Sequence, residues 1–414
     1  MARPSEGWAG FGHLDPETEQ YDRMQKLLSS ANFDYLESRA TIARSSKEKL
    51  PANVTCTIDT SCFTWGFMNV VFEAAFSDGV YWIVRIQHDP LNADTDEENN
   101  IFMSEIETMA LVRSRTTIPV AQIFDYGLST ENPCGYPYML MEFLPGQPCK
   151  DILSKAVTRE YRAKVAKQLA NVYFELESLT FKNIGRVSDK SCDPILPGVS
   201  TAIDSSKTPR TSLEYFHEIR AAESQEILAL HSDDADWRTA SWILKIALPH
   251  MILDDRIHGP FPLCHVDLHY GNLLFDKDFN LTGVLDWTHA QALPLERLGI
   301  FMEFMLFPAA PEVINAQIIE FRSLFLQCLK DKEASRPSSP TSTQTQLSTF
   351  MGSARAELAY FCTYSNPRRA LWDAKRAAKV IFGDSITWGQ LRDVYGARAF
   401  NEEGVPLVFD LTTS

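Results

Sequence analysis

Three polar residues in one stretch of the chain could do chemistry together. Asp267 is followed by Asn272 five positions later and by Asp286 fourteen positions after that. Phosphoryl transfer needs a carboxylate that orients the attacking hydroxyl and accepts its proton, and oxygen ligands that hold magnesium on the nucleotide phosphates. Asp267 suits the first role, and Asn272 with Asp286 suits the second. Each of these residues alone is also an ordinary turn former, so the prediction depends on the combination.

Two short apolar runs would position these side chains. The runs Asn272–Phe275 and Leu281–Leu285 are predicted to be strands, and the turn formers of Asp276–Asn280 join them. Such a hairpin starts with the first Asp and the Asn, and it ends with the second Asp. We therefore expect all three side chains to converge on one cleft.

The stretch HVDLHYGNLLFD, followed by GVLDW, resembles the catalytic segment of the aminoglycoside phosphotransferase and choline kinase-like family. That family has a His-x-Asp-x-x-x-x-Asn loop, and an Asp-Trp pair where protein kinases have Asp-Phe-Gly. Val266 and Tyr270 stand where the family often has Gly and Pro. His265 is expected to brace the loop through hydrogen bonds, and His269 has no assigned role.

The resemblance implies an α+β, protein-kinase-like fold with two lobes. A small N-terminal lobe would contain an antiparallel sheet plus a helix, and a larger C-terminal lobe would be mainly helical. The predicted division is 1–50 for an N-terminal arm and helices, 51–143 for the nucleotide-covering lobe, and 144–414 for the lobe with the catalytic loop, the metal site and the helical substrate region.

A glycine turn in the first lobe is the candidate cover for nucleotide phosphates. Strand-like runs flank Thr64–Asn69, which contains Gly66. The backbone N–H groups of such a turn can bind phosphate. Without the catalytic segment downstream, Gly66 would indicate only a plain hairpin.

Arg85 on the following strand is the candidate cation for the α and β phosphates. The usual signature has Lys at this place. Arg keeps the charge but requires a different geometry, and the alternative is an Arg that simply projects from a strand. The next segment, SEIETMALVRSRTTIPV, resembles the helix that supplies a carboxylate to this cation. Glu105 is the predicted partner, and Glu107 is the fallback.

The last strand of the predicted sheet ends at Leu144-Pro145-Gly146 and resembles the hinge of the family. By that resemblance, the main chain of Glu142 and Leu144 would hydrogen-bond adenine, and Met141 would line the pocket. Alternatively, this is a strand that ends in an ordinary Pro-Gly turn.

Helical patterns dominate the second lobe. The predicted helices and one irregular excursion are Arg159–Leu179, Asn183–Arg210 (irregular), Leu213–His231, Ala235–Leu253 and Arg355–Phe382.

The composition of the chain limits the classes of molecule that it is expected to bind. The 414 residues have a formal net charge of −15, which argues against a nucleic-acid partner and weakly favours a cationic substrate. No apolar run is long enough for a membrane span, and the first residues lack the apolar region of a secretory signal. The eight scattered cysteines suggest reduced thiols. We therefore expect a cytoplasmic protein, while the oligomeric state stays open.

The implied function is transfer of the γ-phosphoryl group of ATP, with Mg²⁺, to a hydroxyl of a small molecule. No Ala-Pro-Glu motif follows Asp286, which favours a small molecule over a protein as acceptor. The main alternative is a pseudokinase, a nucleotide-binding regulatory or scaffold protein in which Arg85 and the single-glycine turn have abolished turnover. A different chemistry in the same cleft is a third alternative. The complete Asp267–Asn272–Asp286 set favours the enzyme over both.

Overall fold

The computed structural model describes residues 3–48, 54–66, 68–88, 96–149, 157–193, 196–199, 209–231, 233–302, 305, 312–336 and 344–397. The strands are β1 (Cys56–Trp65), β2 (Asn69–Phe76), β3 (Tyr81–Gln87), β4 (Ile123–Gly127), β5 (Tyr138–Glu142), β6 (Gln147–Pro148), β7 (Thr180–Phe181), β8 (Gly185–Asp193), β9 (Leu196–Val199), β10 (Phe261–Cys264), β11 (Leu273–Phe275), β12 (Leu281–Val284) and β13 (Gln291–Ala292).

The α-helices are α1 (Glu19–Ser30), α2 (Phe33–Glu48), α3 (Asp96–Arg115), α4 (Arg162–Ser178), α5 (Ser212–His231), α6 (Ala235–Met251), α7 (Leu295–Leu298), α8 (Glu312–Ala334), α9 (Leu347–Met351), α10 (Ala354–Tyr364), α11 (Ala370–Phe382) and α12 (Trp388–Tyr395). Short 3₁₀ helices lie at Gly10–His13, Arg159–Tyr161 and Tyr270–Asn272. This mixture of antiparallel sheets and many helices is the predicted α+β class.

The chain divides into two compact units. The first comprises Met1–Asp151, Val187–Asp189 and Asp267–Ala290, and the second comprises Ile152–Arg186, Lys190–Val266 and Gln291–Ser414. Residues Asp267–Ala290, which include the three predicted catalytic and metal-binding side chains, thus group with the N-terminal residues, whereas the predicted division assigned them to 144–414. The predicted boundary at 50/51 lies outside the described residues, and the division into lobes stays a prediction.

An antiparallel sheet of order β1-β2-β3-β5-β4 forms the centre of the first unit. Side chains alternate along β3, so Trp82, Val84 and Ile86 are buried while Arg85 lies on the opposite face. The buried face packs against α1 and α2 in one apolar core. The sheet therefore has one face closed by helices and presents Arg85 on the other.

The predicted hairpin of β11 and β12 forms, with β6, a second, smaller sheet of order β12-β11-β6. Leu273 pairs with Val284, and Leu274 pairs with both Gly283 and Pro148. The predicted strand pair is thus present, one residue shorter at the start of β11 and at the end of β12. Gly146 makes the approach of β6 possible because its φ is +133° and a Cβ there would collide with Thr282 Oγ1.

The second unit contains α4 to α12 and most of a sheet of order β7-β10-β13-β8-β9. Two expectations for this region were wrong. Strands β8 and β9 lie inside the predicted irregular excursion, of which residues 194–195 and 200–208 lie outside the described residues. The helix predicted over Arg355–Phe382 is two helices, α10 and α11. Pro367 lies between them and has no backbone N–H to continue the first.

Within the described residues, every helix is too short or too polar to cross a bilayer.

Candidate active site

Asp267 and Asn272 lie together in the loop that precedes β11. Asn272 Nδ2 donates a hydrogen bond to the backbone carbonyl of Asp267 over 2.9 Å. Because Nδ2 is engaged in this bond within the loop, Oδ1 is the amide atom that remains available to bind a cation. Asn272 is buried, whereas 56% of the Asp267 side chain is exposed. The loop therefore holds the amide rigidly and leaves the carboxylate accessible to a substrate.

Asp286 joins them from the end of β12. The Leu285 N–H donates to the Asn272 carbonyl over 2.8 Å, which places the next residue, Asp286, beside the start of β11. Asp286 adopts the left-handed backbone conformation, with φ +60°. The following Trp287 is fully buried and donates from Nε1 to the Val284 carbonyl over 3.0 Å. This anchor holds the exposed Asp286 in a conformation that is uncommon for a non-glycine residue.

Arg85 pairs with Glu105 of α3 through two parallel hydrogen bonds. Nη1 lies 2.7 Å from Oε1, and Nη2 lies 2.5 Å from Oε2. Burial disfavours the charged Arg85, but Glu105 and then Asp286 outweigh it and raise its pKa. The ion pair forms with Glu105, the predicted partner, and Asp286 lies within electrostatic range of the same guanidinium. The role of this pair toward a nucleotide stays a prediction.

Thr288 was not identified from the sequence. Its Oγ1 lies 2.8 Å from Asp286 Oδ1 and 3.2 Å from Glu105 Oε2. In the sequence, Thr288 is marked only by its position two residues after Asp286. That position does not predict a contact with Glu105. The contact between helix α3 and this hydroxyl exists only in the folded chain.

His269, which had no assigned role, faces Asp267. Its Nδ1 accepts a hydrogen bond from the Gly271 N–H over 2.9 Å, and its Nε2 lies 3.7 Å from Asp267 Oδ2. Because Nδ1 accepts, the neutral ring has its proton on Nε2, the side of the carboxylate. A Cβ at Gly271 would lie 2.6 Å from Cε1 of this ring, so the absence of a side chain there leaves room for the imidazole.

Val266 keeps a backbone geometry that glycine adopts without strain. Its φ is +69°, which is exceptional for a β-branched residue. The loop therefore retains a left-handed turn directly before Asp267 although Val stands where the resembling family often has Gly. His265 is buried, and the expectation that it braces the loop stays a prediction.

Gly66 lies directly after β1, in the turn that leads to β2. Its N–H donates to the Asn69 carbonyl over 2.8 Å, and its carbonyl lies 3.2 Å from His88 Nε2. No atom would lie within 4 Å of a Cβ at this position. The predicted turn exists, with Phe67 outside the described residues. Since the Gly66 N–H already has a partner inside the turn, phosphate binding by this N–H stays a prediction that requires a rearrangement.

The predicted hinge follows β5. Met141 is buried and pairs with Ile83, two residues from Arg85, so its side chain lies on the Arg85 face of the sheet. The Glu142 N–H donates to Gln122 O over 2.8 Å. The adenine contacts predicted for the main chain of Glu142 and Leu144 therefore cannot include this N–H without breaking that bond.

The donor chemistry of this site fits magnesium. Asn272 Oδ1 and the Asp286 carboxylate are hard oxygen ligands, and Mg²⁺ in phosphoryl-transfer sites is held by one or two such side chains together with substrate phosphates. In the described part of the chain, no group of three or more His, Cys, Asp or Glu side chains could hold a metal ion. Two side-chain oxygen ligands would leave the other coordination positions of Mg²⁺ to substrate phosphates and water.

The family model described as the phosphotransferase enzyme family, APH, matches residues 63–336. No curated protein matches the chain. Among solved structures, the chain is similar to a protein of Ralstonia eutropha JMP134 provisionally assigned as an aminoglycoside phosphotransferase. They share 14% identity over 88% of this chain and 98% of the other, with a TM-score of 0.51. This likeness shows the protein-kinase-like fold.

Two further solved structures have lower TM-scores. A Plasmodium vivax ethanolamine kinase shares 13% identity over 92% of this chain and 94% of its own, with a TM-score of 0.46. A thermostable mutant of aminoglycoside phosphotransferase APH(4)-Ia, in a ternary complex with ADP and hygromycin B, shares 15% identity over 83% of this chain and 98% of its own, with a TM-score of 0.44.

Proposed function

We propose that this chain, which belongs to the phosphotransferase enzyme family, transfers the γ-phosphoryl group of ATP to a hydroxyl of a small molecule. One observation supports this most strongly. The start and end of a single hairpin bring Asp267, Asn272 and Asp286 together, and the Arg85–Glu105 ion pair lies next to Asp286. A proton acceptor, oxygen ligands and a phosphate-binding cation are the parts that phosphoryl transfer requires.

Asp267 acts on the acceptor. Its exposed carboxylate orients the acceptor hydroxyl and takes its proton as the oxygen bonds to the γ-phosphorus, while the bond to the β-phosphate oxygen breaks and ADP leaves. Asn272 fixes the main chain at Asp267, because its amide donates a hydrogen bond to the Asp267 carbonyl.

Asn272 and Asp286 would hold Mg²⁺, which would supply positive charge next to the phosphate oxygens. Arg85, kept charged and oriented by Glu105, binds the α and β phosphates. The turn at Gly66 covers the phosphates, and the main chain of Glu142 and Leu144 binds adenine against Met141. A cytoplasmic location, where ATP is available, belongs to the same proposal.

A small-molecule acceptor is supported by the length of the chain after Asp286. Strand β13 begins at Gln291, so only Trp287 to Ala290 lie between the metal ligand and the next strand. A protein kinase places a long activation segment with an Ala-Pro-Glu motif after this Asp. The acidic net charge of −15 favours a cationic acceptor.

The test is ADP release from Mg-ATP in the presence of pooled metabolite extracts, with the variants Asp267→Asn and Asp286→Asn and the surface control Asp278→Asn. We expect extract-dependent release by wild type and control, and a loss of about 10²–10⁴-fold in Asp267→Asn. In a thermal shift assay, Asp267→Asn should still be stabilised by Mg-ATP. Asp286→Asn should lose the part of this stabilisation that depends on magnesium.

Two results would redirect the assignment. Magnesium-dependent ATP binding without ADP release from any extract would favour the pseudokinase. A chain that binds no nucleotide under either condition would refute the kinase mechanism.

A further inference from the structure

Thr288 lies between the two carboxylates that serve different parts of the site. Its Oγ1 is 2.8 Å from Asp286 Oδ1, the proposed metal ligand, and 3.2 Å from Glu105 Oε2, the partner of Arg85. All four residues belong to the first unit. A continuous chain of polar contacts therefore runs from Arg85 through Glu105 and Thr288 to Asp286.

The two carboxylates differ in what already holds them. Glu105 is buried, with 2% of its side chain exposed, and both its oxygens bond Arg85. Asp286 is exposed and lies on strained left-handed backbone, and its carboxylate accepts a hydrogen bond from the Thr288 hydroxyl that fixes its orientation. Freezing one carboxylate rotamer in advance lowers the entropic cost of binding a cation there.

A hydroxyl has one proton and cannot donate to both carboxylates at once. The shorter distance favours donation to Asp286. A carboxylate oxygen that ligates a cation becomes a weaker hydrogen-bond acceptor, and the proton can then turn to Glu105 Oε2. A cation bound at Asp286 thus changes whether the Thr288 hydroxyl donates to Glu105.

We propose that Thr288 is a positioning residue that orients Asp286 for magnesium and couples metal binding there to the Arg85–Glu105 ion pair. This inference rests on the proposed function. It predicts that removing the hydroxyl weakens the response to magnesium while leaving nucleotide binding without magnesium unchanged.

The experiment is a magnesium titration of thermal shift at a fixed concentration of a non-hydrolysable ATP analogue. Thr288→Val keeps the branched shape without the hydroxyl, and Thr288→Ser keeps the hydroxyl without the methyl group. We expect Thr288→Val to need about tenfold more magnesium for half of the shift, and Thr288→Ser to stay within about twofold of wild type. Both should match wild type when magnesium is absent.

The coupling has its own readout in a double-mutant cycle with Glu105→Gln. If Thr288 communicates with Glu105, the fold-changes in magnesium midpoint for Thr288→Val and Glu105→Gln will not multiply in the double variant. If Thr288→Val does not fold, Thr288→Ala against Thr288→Ser isolates the hydroxyl in the same assay.

Failures of the two proposals are distinguishable. A wild-type chain with no magnesium-dependent shift would overturn both. If Asp286→Asn loses the shift while Thr288→Val and Thr288→Ala both match wild type, only the role of Thr288 is refuted. If the fold-changes in magnesium midpoint of the two single variants multiply in the double variant, the coupling between Thr288 and Glu105 is refuted.

Discussion

The guanidinium of Arg85 meets the carboxylate of Glu105 through two hydrogen bonds, Nη1 to Oε1 at 2.7 Å and Nη2 to Oε2 at 2.5 Å. Only 13% of the Arg85 side chain and 2% of the Glu105 side chain are exposed. Such a pair leaves a costly buried charge when one partner is removed. Strand β3 and helix α3 are therefore held together by this buried ion pair.

Glu105→Gln should lower the free energy of unfolding by about 3 kcal/mol, because the buried Arg85 then loses its bonded counter-charge and keeps only the Coulombic attraction of Asp286. Glu107→Gln, two residues along the same helix and half-buried, is the matched control and should cost less than about 1 kcal/mol. Urea unfolding of both variants measures the difference. Equal losses would mean that the ion pair adds nothing to stability beyond an ordinary helix substitution.

His269 variants should separate its two contacts. In His269→Asn, the side-chain oxygen can replace Nδ1 as the acceptor from the Gly271 N–H, but the shorter side chain does not reach Asp267. In His269→Gln, the side-chain amide can place an N–H group where Nε2 lies. If the Nε2 proton helps to orient Asp267, kcat should fall about two- to fivefold in His269→Asn and recover in His269→Gln, with KM for ATP unchanged. The opposite ranking would assign the role of His269 to the Gly271 bond instead.

Gly146→Ala should destabilise the first unit strongly. The added Cβ would collide with Thr282 Oγ1 and lie 3.0 Å from the Phe275 carbonyl, on a backbone with φ +133°. We expect a loss of about 2–4 kcal/mol in the free energy of unfolding. Gly66→Ala is the control, since no atom lies within 4 Å of its Cβ position, and it should change stability by less than about 1 kcal/mol. A similar cost for both would show that β6 relaxes away from the hairpin.

Glu296 in the second unit should make stability depend on pH. Burial raises its pKa from the ordinary 4.5 to about 7, although the Leu253 N–H bonds its carboxylate. Because the folded chain holds this proton more tightly than the unfolded chain, the stabilisation is complete below pH 4.5 and is lost as pH rises through 7.

Glu296→Gln, which cannot ionise, isolates that effect. Relative to this variant, wild type should lose about 2–3 kcal/mol of unfolding free energy between pH 4.5 and pH 8. Urea unfolding of both proteins at pH 5, 6, 7 and 8 measures the difference. A difference that does not vary with pH would mean that the carboxyl ionises equally easily in the folded and unfolded chains.

Local patterns predicted much of the fold. The hairpin of β11 and β12, the strands that flank Gly66 and the N-terminal helices depend on apolar periodicity and turn formers that act within a few residues. The same reasoning missed the break at Pro367 because α10 and α11 share one helical pattern on either side of it. It also missed β8 and β9, since strands rich in Gly, Pro and Ser have little intrinsic preference for a sheet and depend on a neighbouring strand. For β8 that neighbour is β13, and β9 lies next to β8 at the edge of the sheet.

The sequence by itself determined the candidate chemistry and the family resemblance. Asp267 and Asn272 lie just before the hairpin of β11 and β12, and Asp286 lies just after it. The local structure of this one segment is therefore sufficient to bring the three residues together. The resemblance favoured Glu105 over Glu107 as the partner of Arg85, and the tertiary structure shows the two hydrogen bonds between them. The tertiary structure alone decided that Thr288 touches both Glu105 and Asp286. Those contacts join a strand, a helix and a hairpin that are up to 203 positions apart in sequence, from Arg85 to Thr288. Their geometry depends on how these elements pack, and no spacing along the chain encodes it.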